Sequence, residues 1–131
     1  MVRLLWIKGL QFEVEDDYKH RIIIDTAKDS GGFDAGFRPI DLLLTALAGC
    51  MSMDIVAILQ KKGGKINKFE VQIKGERAVE HPKKFNSIAV QFKCEGDYKR
   101  EDLVRAFELS RDMYCSVYGT LKSMPEIEFL I

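Results

Sequence analysis

The chain has 131 residues, 47% hydrophobic and 31% charged, with 20 Lys and Arg set against 20 Asp and Glu. That length suits one domain over residues 1–131, and the apolar content is too high for charge-driven disorder. A formal net charge of +0 leaves no cationic excess to displace counterions from a nucleic-acid backbone, and it opposes self-association only weakly.

Elements follow in chain order. Leu4 and Trp6, then Phe12 and Val14 after a turn at Lys8-Gly9, alternate as strands do, and Arg21-Ile22-Ile23-Ile24 is a β-branched third strand. The expectation is an antiparallel meander. Residues 26–38 carry turn chemistry in Asp29-Ser30-Gly31-Gly32 and Asp34-Ala35-Gly36. A long helix should start at Pro39, which suits the first helical position, with Asp41 in its first turn and Lys61, Lys62 and Gly63-Gly64 closing it. The stretch from Leu42 to Met51 is apolar all round, so it should be buried all round. A chain this short cannot wrap such a helix alone, which predicts a partner subunit.

Two strands should follow. Phe69, Val71 and Ile73 line one face of the first, and Ile88, Val90, Phe92 and Cys94 one face of the second, with His81-Pro82 between them. A second helix is expected over residues 99–113, with Leu103, Phe107 and Ser110 on one face. A short helix from about Cys115 to Lys122 should come next, then a last strand through Ile127, Phe129 and Ile131. The order β-β-β-α-β-β-α-α-β is α+β with antiparallel sheets.

No export or membrane signal is expected. Leu4 to Ile7 is far short of a signal-peptide core, and the uncharged run from Leu42 to Met53 falls well below the roughly 20 residues of a crossing helix. The reading is a cytoplasmic protein with neither membrane nor nucleic acid as partner. Three cysteines without a tight pair, beside only two histidines, argue against both a disulfide framework and a zinc site.

Cysteine chemistry is then the main question. Cys94 shares an apolar strand face and reads as a core residue. Cys50 lies mid-helix between Gly49 and Met51, with Asp54 one turn on along the same face. A carboxylate in an apolar helix needs a partner such as an arginine, a backbone N–H or a thiol. Gly49 costs the helix about 1 kcal/mol against Ala, which suggests close backbone approach or a ligand-sized gap. Cys115 falls where a new helix would begin, and the helix dipole there would lower its thiol pKa. Core packing is the plain alternative for each cysteine. A thiolate beside a second thiol is the minimal apparatus for reducing a peroxide and closing a disulfide, provided the Cα atoms come within about 7 Å.

The run from Arg38-Pro39-Ile40-Asp41 through Gly49-Cys50-Met51-Ser52-Met53-Asp54 resembles the first cysteine motif of the OsmC/Ohr superfamily, and Tyr114-Cys115-Ser116-Val117 resembles the second. Gly75-Glu76-Arg77, Glu80-His81-Pro82 and Phe85 are similar to the YhfA-like branch in particular. The resemblance runs from about Gly31 to the C-terminus. It implies an OsmC-like fold, in which antiparallel sheets from both chains of an intertwined homodimer enclose two long central helices. It also implies a thiol-dependent peroxidase for organic and inorganic hydroperoxides, with Cys50 peroxidatic and Cys115 resolving, no metal or flavin cofactor, and a dithiol or lipoyl-type reductant.

Departures from that pattern are specific. The peroxidase branches carry Glu directly after the motif proline, where this chain has Ile40. Asp41 is displaced by about 180° around the helix from Cys50. The Pro that often follows the second cysteine is Ser116. Arg38 and Arg77 are the candidates for the arginine that supports the thiolate, and Asp54 for polar wiring around Cys50; each could equally be a solvated surface charge. The missing Glu motivates an alternative, a catalytically weak stress protein that binds an apolar or electrophilic small molecule at the dimer interface. A hot-dog thioesterase is disfavoured by the helix-rich residues 99–122.

Overall fold

The computed structural model describes residues 1–130. They form two compact units, Met1–Leu43 and Leu44 onward. The architecture is α+β with antiparallel sheets.

In the first unit, β1 (Val2–Lys8), β2 (Gln11–Asp16) and β3 (Arg21–Ile24) make the expected meander, in the order β1-β2-β3. The register places Leu4 opposite Val14 and Val14 opposite Ile22. Every residue of β1 is exposed, including Leu4, Leu5, Trp6 and Ile7, so the strand shows apolar side chains on both faces. Glu15 is buried on β2 beneath Lys19 (3.0 Å), Arg21 (2.7 Å) and Arg3 (3.4 Å). Hydrogen bonds from Lys19 and Arg21 hold its carboxyl below the ordinary value.

The loop after β3 is built around Asp25, which is 2% exposed. Its carboxylate accepts N–H bonds from Thr26 (2.8 Å), Phe33 (3.1 Å) and Ala35 (3.2 Å). Burial pushes the carboxyl up, and these three donors bring it below its usual range. Gly32 sits so close to the returning chain that a Cβ would lie 2.1 Å from the Thr26 carbonyl oxygen. The loop ends in a parallel bridge between Ile24 and Phe37.

The long helix α1 (Pro39–Lys61) has the predicted ends. Gly63, at φ +84°, lets the chain reverse so that the Gly64 N–H reaches the Leu59 carbonyl at 2.9 Å. Along α1, Leu47, Met51, Ile55 and Leu59 are buried, a stripe of fourfold spacing. This chain leaves the other apolar faces open: 22% of the most apolar stretch is buried, and Met53 is 74% exposed.

The second unit packs that stripe on a hairpin of β4 (Lys65–Arg77) and β5 (Phe85–Asp97) and on α2 (Arg100–Leu109). Val71 pairs with Phe92 and Ile73 with Val90. Ile55, Leu59 and Ala106 are fully buried and form one cluster with Phe69, Phe92, Cys94 and Phe107. Cys94 is therefore packed as the strand alternation predicts.

Two elements differ from expectation. The second helix does not run regularly to Met113: α2 ends at Leu109 and a π-helical turn, Ser110–Tyr114, carries the chain to α3 (Ser116–Lys122). The bond from the Cys115 N–H to the Ser110 carbonyl (2.8 Å) closes this wider turn. No strand forms over residues 124–130, where Ile127 and Phe129 stay exposed, because an extended segment needs a ladder partner and has none among the described residues; Ile131 lies outside them.

Candidate functional site: a thiol pair under the first turn of α3

Cys50 and Cys115 meet in the second unit. Cys115 caps the N-terminus of α3, its sulfur accepting the Tyr118 N–H at 3.3 Å. The side chain is 5% exposed and packs with Leu47, Met51 and the half-buried Cys50. Ser116 follows, its Oγ 4.0 Å from the Cys50 sulfur.

The two thiols differ in ionisation. Burial pushes the Cys50 thiol up, and the Asp54 carboxylate pushes it the same way. Hydrogen bonds from the Cys115 thiol, the Val117 N–H and the Ser116 hydroxyl outweigh both, and Cys50 ends below the ordinary thiol value. Cys115 moves the opposite way: burial raises it, and so does its hydrogen bond to Cys50, against the helpful N–H groups of Tyr118 and Val117. The expectation that the helix terminus would depress Cys115 is thus corrected. The N-terminal N–H groups of α3 are shared between the two sulfurs, and the more buried one keeps its proton.

Asp54 has a partner that was not foreseen. Its Oδ2 accepts the hydroxyl hydrogen of Ser110 at 2.8 Å, and Ser110 is fully buried. The sequence did hold a signal: a serine in line with the apolar face of Leu103 and Phe107, and a carboxylate on an apolar helix, each need a partner.

Arg38 belongs to the first unit and pairs with Asp34 at 3.8 Å. Arg77, at the end of β4, donates from Nε to the Lys83 carbonyl at 2.8 Å. After burial, the influences on Cys50 come from the Cys115 thiol, the Val117 N–H, the Ser116 hydroxyl and the Asp54 carboxylate. A cavity of about 360 Å³ opens next to the thiol cluster, lined by Leu47, Met51, Val90, Phe107 and Tyr118, with Arg111 and Lys122 among its polar members. Arg111 escaped the sequence reading. Its guanidinium lies 5.4 Å from the Phe107 ring and is paired with Asp112.

Among the described residues no cluster of His, Cys, Asp and Glu has the makings of a metal site. A half-buried and a buried sulfur, one with a depressed and one with a raised pKa, can exchange a proton and can form a disulfide.

Comparison with known proteins places this arrangement. A family model described as OsmC-like protein matches residues 31–129. Protein YhfA of Escherichia coli (strain K12) is 37% identical over 116 residues, which is 88% of this chain and 84% of YhfA. The crystal structure of a hypothetical protein from Aquifex aeolicus VF5 superposes with a TM-score of 0.82 at 27% identity, covering 95% of this chain and 87% of that one. A further structure, described as an organic hydroperoxide resistance protein OsmC from Legionella pneumophila, has the same fold with a TM-score of 0.67 at 12% identity, covering 94% of this chain and 88% of its own. With a matching family model over most of its length and a thiol pair on the two cysteine motifs, this chain belongs to the OsmC-like protein family.

Proposed function

We propose that the protein is a thiol-dependent hydroperoxide reductase in which Cys50 attacks and Cys115 resolves. The observation that carries the reading is the packing of Cys50 against the buried Cys115 in one apolar cluster, where hydrogen bonds lower the Cys50 thiol and burial raises Cys115. The Cys50 thiolate attacks the terminal oxygen of ROOH, the O–O bond breaks, and RO⁻ leaves and takes up a proton as ROH. Cys50 is then a sulfenic acid. Cys115 attacks its sulfur, water leaves, and the disulfide forms. A dithiol reductant reopens it by two exchanges and departs as its own disulfide. The description of the Legionella protein supports the same class of substrate, and the apolar cavity suits a hydroperoxide with an organic R group.

A second copy of the chain belongs to this reading. The bare faces of α1 and the two apolar faces of β1 are the surfaces it would cover. Ile40 in place of the usual Glu keeps the alternative of a binder without turnover in view. The test is consumption of cumene hydroperoxide by the reduced protein with dithiothreitol or dihydrolipoamide. Turnover that disappears in Cys50→Ser is expected. Consumption that persists in that variant, or no consumption by the unaltered protein, contradicts the proposal.

A further inference from the structure

Ser110 joins three parts of the second unit while fully buried. Its N–H bonds the Ala106 and Phe107 carbonyls at the end of α2, its carbonyl accepts the Cys115 N–H at 2.8 Å, and its hydroxyl donates to Asp54 Oδ2 at 2.8 Å. Asp54 sits one helical turn beyond Cys50 on α1. This side-chain tie between the π-helical turn and α1 is therefore anchored one turn from one thiol, on a residue whose carbonyl holds the backbone of the other.

We propose that Asp54 and Ser110 are a positioning pair: by clamping the π-helical turn to α1 they fix the Cys115 backbone against Cys50 and set how readily the Cys50–Cys115 disulfide closes. This rests on the reading that the two thiols act together, and it adds the device that keeps them in register. Leu47, Met51 and Phe107 can slide over one another at little cost, whereas a buried hydroxyl–carboxylate bond has a direction and a length. The π-helical turn is where the chain passes from α2 to Cys115, so a tie at its first residue acts on the position of that thiol.

Asp54 has two separable effects. Its oxygen holds Ser110, and its charge acts on Cys50. Asp54→Asn keeps an acceptor for Ser110 and removes the charge. Asp54→Ala removes both, and Ser110→Ala removes the clamp while leaving the charge.

The experiment equilibrates the full-length protein and its variants in reduced and oxidised glutathione. Oxidised glutathione takes the two electrons and two protons of the dithiol and leaves as two thiols. Acid quench and peptide mapping give the effective concentration of the Cys50–Cys115 disulfide. Ser110→Ala and Asp54→Ala are expected to lower it about tenfold, the value of a buried hydrogen bond to a charged group. Asp54→Asn should stay within about threefold of the unaltered protein, the cost of exchanging a charged acceptor for a neutral one. Its Cys50 alkylation profile should shift to lower pH, a change that loosening of the fold would not produce.

Unchanged disulfide closure in Ser110→Ala, or loss in Asp54→Asn as large as in Asp54→Ala, overturns the proposal. If Ser110→Ala does not fold, the two Asp54 variants decide. The readout needs no hydroperoxide. Closure in glutathione with no peroxide consumption sinks the reductase reading alone, while no Cys50–Cys115 disulfide at any glutathione ratio sinks both.

Discussion

At the residue scale, the account comes down to one proton shared unequally by two sulfurs. A depressed pKa leaves more thiolate at any given pH, so alkylation of Cys50 should rise with an inflection below that of an ordinary thiol. Cys115→Ala removes the largest favourable hydrogen bond and should move that inflection upward; iodoacetamide rates against pH, read by mass at Cys50, check both. An unmoved inflection would show that Cys115 does not act on Cys50. Both cysteines were visible in the sequence because they stand in motifs of fixed composition. Their unequal ionisation was not visible, since it depends on depth and on which sulfur the N-terminal N–H groups of α3 reach. The partner of Asp54 was hidden for a similar reason: Ser110 lies far along the chain, and only the path of α2 brings them together.

Elements were legible where local chemistry sets them. Pro39, Asp41 and Gly63 mark the ends of α1, and the Leu47–Met51–Ile55–Leu59 stripe follows from helical spacing. Ile55→Ala or Leu59→Ala empties a fully buried site and should cost about 2–5 kcal/mol in denaturant unfolding, and a loss under about 1 kcal/mol would contradict the packing. The loop after β3 was legible only as a loop. That a single carboxylate organises it could not be read, because the donors to Asp25 are backbone groups up to ten residues on. Gly32→Ala drives a methyl into the Thr26 carbonyl and should destabilise the first unit by about 1–3 kcal/mol, with early loss of amide protection at Phe33 and Ala35 in hydrogen exchange. The π-helical turn and the missing last strand were misread together, since both depend on tertiary partners that a sequence pattern does not name.

For the whole molecule, the fact to explain is apolar surface without cover. Trp6 is 67% exposed and Met53 74%, on a strand and a helix that sequence alone would bury. A second copy is the proposed cover, and Trp6→Glu should then shift the molecular mass in light scattering from dimer toward monomer. Gly49 makes a related point. Among the described residues nothing beyond its own chain neighbours and helix backbone lies within 4 Å of the place its Cβ would take. Gly49→Ala should favour the helix by about 1 kcal/mol in a lone chain, yet weaken a dimer whose partner helix approaches there; sedimentation at several concentrations separates the two signs. The close approach expected at Gly49 is not made within this chain.

The most direct test of the central claim is peptide mapping after reduced protein is mixed with one equivalent of cumene hydroperoxide. The account predicts a single cross-linked species, lighter by two hydrogens, that joins the Cys50 and Cys115 peptides while Cys94 stays a free thiol. Recovery of Cys50 and Cys115 as unmodified thiols, with the hydroperoxide intact, would contradict it.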